Sequence, residues 1–315
     1  MYAIIRTIIV FTLSATLVAA QPLIDDEARL KAVTEALFAP GRNLLDVKLA
    51  VDALVDPTSN PAAVAVEVDR MTRDISTVAG PLAPAQDKLT ALRRYLYEPG
   101  EWNGQNPFRY DFDDPLGDNP ENRSLQRYLA TRRGNCVTMP ILFAVLGQRL
   151  GLDMTLAEAP LHLLVKYTDE AGAVWNLEAT SGGGFTRDLW YRRKLPMSDE
   201  AVANGIYLRP LSHAEATAVI ASFLVEHYLA VGEFEQAVAV ADVLLTHYPR
   251  FAYGQVKKGS AYAGMLRREL EGRYARIEDI PPDLKAKADK WYRENLQAFA
   301  KAEALGWRPE DGQSQ

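Results

Sequence analysis

Apolar residues recur at helical spacing over the first third of the chain, in segments that end at clear breakers. The segment 85–97 is the clearest, because Leu89, Leu92 and Leu96 would share one face before Glu98-Pro99-Gly100 stops the helix. Residues 24–98 are therefore predicted to be helical. The other helices expected there cover 27–38, 44–54 and 61–77.

The pattern changes between residues 100 and 180. Residues 100–121 are rich in Gly, Pro, Asn, Asp and aromatic residues, and they predict a solvated loop. A short helix, 124–133, ends at Gly134, and a strongly apolar helix is expected to run from Cys136 to Leu150. A β-hairpin follows, with strands over 161–167 and 174–180 and a polar turn at 168–172.

Alternation along the hairpin brings polar side chains together. His162 shares a face of the first strand with Leu164 and Lys166, and Glu178 shares a face of the second strand with Asn176. Across an antiparallel pair, His162 is therefore expected beside Glu178 or one of its neighbours.

From Ser212 onward the chain is helical again, with signs of a repeat. Gly232 and Ala237, counted back from Pro249, occupy the positions at which a 34-residue tetratricopeptide-type unit places small residues. Gly259 and Tyr262 fit a second, interrupted copy. So few units stack poorly alone, and we expect them to pack against the rest of the protein.

Composition narrows the possible functions. The chain has 315 residues, 48% of them hydrophobic, which is enough for a substantial core. A net charge of -6 argues against nucleic acid as a partner. One cysteine and four scattered histidines give neither an internal disulfide nor a zinc motif, so no metal and no organic cofactor is proposed.

The N-terminus has the pattern of an export signal. Arg6 precedes an apolar run over residues 8–18, and Val18-Ala19-Ala20 offers a cleavage site. We predict a signal peptide over 1–20 and an exported, periplasmic protein with no membrane span after cleavage. An uncleaved N-terminal anchor is the alternative.

The candidate chemistry depends on a cysteine, then a histidine, then an acid or amide residue along the chain. Cys136 lies at a helix start, where unpaired N–H groups favour a thiolate and can donate to a developing oxyanion. His162 would act as its base, and Glu178 or Asn176 would orient the imidazole. Asn135 is the candidate N-cap that supports the helix start. A redox-sensing role is disfavoured, because no second cysteine can resolve a sulfenate.

The residues from Asn122 to Leu152, including Arg-Arg-Gly-Asn-Cys136-Val-Thr-Met-Pro, and the stretch Ala159-Pro-Leu-His162-Leu-Leu-Val-Lys166 resemble the transglutaminase-like core of SirB-type proteins. This resemblance implies an α+β, papain-like core with Cys136 as nucleophile, His162 as general base and then acid, and Glu178 in the third position. The third residue of such cores is usually Asp, and many SirB-type relatives look as though they have lost the cysteine.

The resemblance and the patterns together define the expected organisation. A helical N-terminal region covers 21–98, the transglutaminase-like core 99–211, a tetratricopeptide-like helical region 212–309 and a tail 310–315. The expected function is that of an exported cysteine enzyme that cleaves or transfers an acyl group of a peptide or protein substrate. The alternative is a non-catalytic module that binds a peptide or protein, and in either case the C-terminal repeats could hold a protein partner.

Overall fold

The computed structural model describes residues 26–274 and 276–309. The expected signal peptide over 1–20 and the tail 310–315 lie outside these residues. The described part contains twelve α-helices and six β-strands. The helices are α1 Asp26–Glu35, α2 Leu44–Val55, α3 Pro61–Ala79, α4 Ala85–Tyr97, α5 Leu125–Thr131, α6 Thr138–Arg149, α7 Asp188–Lys194, α8 Asp199–Ala203, α9 His213–Ala230, α10 Phe234–His247, α11 Ala252–Leu270 and α12 Pro282–Ala304. The strands are β1 Arg109–Tyr110, β2 Arg133–Gly134, β3 Asp153–Ala159, β4 His162–Thr168, β5 Val174–Glu178 and β6 Gly184–Thr186.

The N-terminal helices begin and end where their local sequence directs. At the start of α2, the Asn43 side chain accepts the Asp46 N–H, and the Asp46 carboxylate accepts the Asn43 N–H, which closes a capping box. Helix α4 has the bounds expected from its apolar stripe, with Leu89 and Leu92 fully buried. The helical spacing thus identified this region correctly.

The main sheet is antiparallel, in the order β3-β4-β5-β6. Strand β3 is an addition to the expected hairpin of β4 and β5, in which Val165 lies opposite Leu177. Both of these residues belong to the large core that also contains the buried face of α6. The opposite face of the sheet packs in a smaller cluster that includes Leu164 and Tyr191. The sheet is therefore covered on both faces. His162 is the first residue of β4, one of its two central strands.

The C-terminal helices α9, α10, α11 and α12 pack on one another in sequence order. Gly232 makes the turn between α9 and α10 at a positive φ of 80°, where a side chain would be strained. Helix α9 also packs against α2 and β3, and α10 packs against α1. Just after α1, Phe38 stacks on His247 of α10 with ring centroids 3.8 Å apart. The helical region is thus joined to the rest of the protein.

The described elements form a mixed helix and sheet protein, and the predicted α+β class is confirmed. None of the helices in residues 26–274 and 276–309 is both long and apolar enough to cross a membrane.

Candidate active site

Cys136 lies two residues before the first residue of α6, Thr138. The fully buried side chain of Asn135 holds this segment, since its oxygen accepts the N–H groups of Val137 at 3.1 Å and Thr138 at 3.0 Å. The carbonyl oxygen of Asn135 also accepts the Met139 N–H at 3.2 Å, so Asn135 has the contacts of an N-cap and Cys136 lies at the start of the helix.

The thiol is enclosed by neighbouring backbone. Its Sγ lies 3.4 Å from the carbonyl oxygen of Leu161 and donates to it, and only 3% of the residue is exposed. Leu161 makes the turn between β3 and β4 with a positive φ of 52°, an uncommon conformation for a residue with a side chain. Since His162 is the next residue, the thiol lies beside the start of β4, bonded to a carbonyl rather than to the imidazole.

The backbone N–H groups around Cys136 already have acceptors. The Cys136 N–H donates to the carbonyl oxygen of Pro115 at 3.1 Å, and the next two N–H groups donate to Asn135. The expectation of free donors at this helix start therefore fails in this conformation. Pro115 belongs to the loop over 100–121 that the sequence predicted to be solvated; the residue is exposed, and its carbonyl oxygen lies at the Cys136 N–H.

Burial also reverses the expected ionisation of the thiol. It raises the pKa of Cys136 to about 12, and the nearby positive charge of Arg123 offsets only part of this rise. A thiolate enclosed by apolar groups loses its hydration, which outweighs the favourable end of the helix. Cys136 is accordingly a neutral thiol at neutral pH in this conformation.

His162 and Glu178 form a direct pair. The imidazole Nε2 lies 2.9 Å from Oε2 of Glu178, across the two middle strands of the sheet. Strand pairing sets Glu178 diagonally across from His162 on the same face, because Val165 opposes Leu177. With Nε2 held by the carboxylate, Nδ1 is the ring nitrogen left for other partners.

Both carboxylate oxygens of Glu178 are fixed. Oε2 also accepts the Tyr191 hydroxyl at 2.7 Å, and Oε1 accepts the N–H of Thr180 at 3.0 Å and its hydroxyl at 2.5 Å. Burial raises the pKa of Glu178, but the hydrogen bonds from His162, Thr180 and Tyr191 outweigh it and lower the pKa overall. The group is therefore an ionised acceptor that orients the imidazole.

Asn176 has a different partner. Its Nδ2 donates to Oδ1 of Asp188 at 2.7 Å, and it lies opposite Lys166 in the strand pair. The structure thus brings Glu178 to His162 and directs Asn176 toward α7. The sequence alone had left both residues open for this position.

A cavity of about 500 Å³ opens beside Cys136 and His162, and residues of α9 and α11 form its opposite wall. On that wall Glu226 pairs with Arg123 and accepts the Tyr253 hydroxyl at 2.7 Å. The C-terminal helices therefore border the candidate site directly.

Sequence patterns had not singled out several polar groups around this site. Tyr191 lies on α7, a short helix without a clear apolar stripe, and Arg123 and Glu158 reach the site from elements whose packing the pattern could not predict. Among residues 26–274 and 276–309, no group of three or more His, Cys, Asp or Glu side chains could hold a metal ion.

A comparison with protein families gives one match. The model of the transglutaminase-like superfamily matches residues 62–219, half of the chain, and this range contains Cys136, His162 and Glu178. No curated protein and no solved structure matches the chain significantly. The family match covers α3 to the first part of α9, including the whole sheet. The chain therefore belongs to the transglutaminase-like superfamily.

Proposed function

We propose that the protein is a cysteine enzyme that cleaves or transfers an amide acyl group through Cys136, His162 and Glu178. The observation that carries this proposal is the His162 to Glu178 pair beside the cavity that Cys136 also lines. A buried carboxylate that fixes a histidine next to a lone cysteine has the arrangement of a thiol triad.

The reaction would proceed in two halves. Sγ of Cys136 attacks the carbonyl carbon of the substrate while His162 takes the thiol proton through Nδ1. His162 then gives that proton to the leaving amine as the C–N bond breaks, which leaves a thioester on Cys136. Water or a second amine attacks the thioester and loses its proton to His162. The C–S bond then breaks, His162 returns the proton to Sγ of Cys136, and an acid or a new amide is released.

Catalysis requires the thiol to move from its described position. The thiol has to leave the Leu161 carbonyl and turn toward Nδ1 of His162, whose other nitrogen is already held. Because burial keeps the thiol neutral, His162 would act as a general base during the attack rather than as half of a resting ion pair.

The second candidate is a non-catalytic module that binds a peptide or protein in the same cavity. The enclosed thiol and its raised pKa of about 12 favour this reading. The complete set of hydrogen bonds on Glu178 favours the enzyme, since a binding module has no need to hold an imidazole in one tautomer.

The proposal also includes the subfamily, the export signal and the C-terminal repeats predicted from the sequence. We infer a SirB-type subfamily, an export signal that directs the protein to the periplasm, and tetratricopeptide-like C-terminal repeats. The close fit of Gly259 against Phe299 and the buried Ala237 are compatible with such repeats. Their helices would hold the protein substrate or a partner near the cavity.

Acylation by an activated ester tests the proposal. The protein would be incubated with p-nitrophenyl acetate, and the acetyl group would be located by peptide mass spectrometry. A cysteine enzyme predicts a burst of p-nitrophenol and an acetyl group on Cys136. Both should be absent in Cys136→Ser. Both should be retained in His213→Ala, the control, because His213 is an exposed histidine on α9. An added amine such as cadaverine then separates transfer from hydrolysis. Absence of acetyl on Cys136 in the wild type would favour the binding module.

A further inference from the structure

One carbonyl oxygen next to Cys136 accepts two hydrogen bonds. The oxygen of Pro115 receives the Cys136 N–H at 3.1 Å and the Tyr110 hydroxyl at 3.2 Å. Two donors that converge on one carbonyl oxygen beside a nucleophile form the arrangement that stabilises an oxyanion.

We propose that the Tyr110 hydroxyl and the Cys136 N–H are the two oxyanion donors of the site, and that Pro115 occupies their position when no substrate is bound. This inference rests on the proposed function. When Sγ bonds to the substrate carbon, the electron pair of the C=O bond moves to the oxygen, and both donors hold that negative charge. When the pair returns, the C–N bond breaks and the amine leaves with the proton from His162.

The backbone fixes Tyr110 at this place. β1 pairs with β2 so that Tyr110 lies opposite Gly134, two residues before Cys136. The ring packs edge-on against Phe112, with centroids 5.2 Å apart. Tyr110 therefore reaches the cysteine from a strand, and strands hold catalytic groups more rigidly than free loops do.

The ionisation of Tyr110 suits a donor. Burial raises the pKa of its hydroxyl to about 12, and the neighbouring Cys136 and Glu178 raise it in the same direction. The group stays protonated at neutral pH and can donate throughout the reaction. A charged oxyanion gains more from this bond than the neutral Pro115 carbonyl does.

Access of substrate to the two donors requires the Pro115 loop to shift. Asp114 anchors the loop through Asn122 Nδ2 at 2.7 Å, while the adjacent Leu116 already borders the cavity. A peptide carbonyl that enters from the cavity would replace the Pro115 carbonyl and accept the hydrogen bonds of the Tyr110 hydroxyl and the Cys136 N–H.

The test compares two reactions of Cys136 in the full chain. Acylation by p-nitrophenyl acetate passes through an oxyanion, whereas alkylation by iodoacetamide does not. We expect Tyr110→Phe to slow acylation about 10²-fold, in line with the loss of one oxyanion donor, and to leave alkylation no slower. Tyr97→Phe is the matched control, because its buried hydroxyl has no hydrogen-bond partner in the described chain.

The outcomes separate the two proposals. Equal acylation rates for Tyr110→Phe and wild type would overturn the role of Tyr110 while leaving the cysteine enzyme intact. Parallel slowing of acylation and alkylation would show general damage and would also reject an oxyanion role. A wild-type Cys136 that accepts no acetyl group would remove the proposed function and this inference with it.

Discussion

His162 and Glu178 are sixteen positions apart in the chain, yet their side chains meet at 2.9 Å across neighbouring strands. Tyr191 and Thr180 complete the shell around the carboxylate. The imidazole is therefore held in place, whereas the thiol is enclosed and bonds to the Leu161 carbonyl oxygen. The fixed imidazole and the enclosed thiol lead to separate tests.

Replacing Glu178 with Gln tests whether the carboxylate orients the base. The change keeps the size of the side chain but removes the negative charge that fixes the imidazole tautomer. We expect acylation of Cys136 by p-nitrophenyl acetate to fall about 10²- to 10⁴-fold, the range for loss of such a partner. Glu170→Gln, in the exposed hairpin turn, makes the same chemical change away from the site and should leave the rate unaltered.

The alternative, in which Asn176 orients His162, predicts slower acylation in Asn176→Ala than in Glu178→Gln. The contacts of Asn176 predict the reverse. Its amide bonds to Asp188, so Asn176→Ala should slow acylation far less than Glu178→Gln does. If Asn176→Ala were the slower of the two variants, Glu178 could not be the residue that orients His162.

Tyr191→Phe tests the shell around the carboxylate through stability. The variant loses a hydrogen bond to an ionised group, a change worth about 1.5 to 3 kcal/mol in the free energy of unfolding. The folded pKa of Glu178 is lowered, so its contribution is present above the ordinary glutamate pKa and is lost as pH falls through the folded pKa. Urea unfolding should therefore show a full gap between variant and wild type at pH 7, and this gap should narrow only as pH falls below the ordinary glutamate pKa.

The exposed Tyr292 offers the matched control for this experiment. Tyr292→Phe should unfold as the wild type does at every pH. A gap for Tyr191→Phe that stays constant well below the ordinary glutamate pKa would mean that its hydroxyl does not stabilise the charged form of Glu178.

The effect of Glu158 on the unfolding free energy should depend on pH with a sign opposite to that of Glu178. Burial raises the pKa of Glu158 to about 8, against the lowering effects of the Tyr248 hydroxyl at 3.3 Å and of Arg209. A group with a raised folded pKa contributes fully below its unfolded pKa, and this contribution is lost as pH rises through the folded value. Its share of the unfolding free energy should fall between about pH 4.5 and pH 8.

Glu158→Gln removes this titration. We expect its unfolding free energy to change less between pH 5 and pH 8 than that of the wild type, as measured by urea unfolding at several pH values. Glu233→Gln, at an exposed position, should keep the wild-type slope. Identical slopes for Glu158→Gln and wild type would show that Glu158 titrates alike in the folded and unfolded chain.

Gly259→Ala tests the packing of α11 on α12. A Cβ at Gly259 would come within 2.7 Å of the Phe299 ring, which leaves no room for a methyl group. Overpacking costs about 1 to 3 kcal/mol, which exceeds the gain of about 1 kcal/mol from replacing glycine in a helix. Thermal unfolding should therefore begin earlier than in Ser260→Ala on the same helix, and a more stable Gly259→Ala would contradict this packing.

The sequence predicted those features that depend on local pattern. The apolar stripe of α4 predicted the bounds of this helix. Alternation of side chains in the hairpin predicted that Glu178 is among the neighbours of His162. Strand β3 escaped notice because its small and polar residues, such as Thr155 and Glu158, do not alternate in an obvious way. Its partners come from β4, and pairing of this kind depends on the whole sheet.

The state of the thiol could not be predicted from its position in the chain. A place near a helix start favours the thiolate, but enclosure by the Leu161 turn and the Pro115 loop dominates. Tyr110 was missed for the same reason, because its hydrogen bond to Pro115 depends on a loop that folds back over Cys136. Contacts between distant segments carry this information, and a local pattern does not contain them.

The most direct measurement of the central claim is the pH profile of Cys136 acylation in wild type and in His162→Ala, with p-nitrophenyl acetate and with mass spectrometry to locate the acetyl group. A general base at His162 predicts a wild-type rate that rises with pH and then levels off once the imidazole is in its neutral, proton-accepting form. His162→Ala should be far slower and should keep rising toward high pH, as expected for a buried thiol with a raised pKa. A wild-type profile that matches that of His162→Ala would contradict the proposed mechanism.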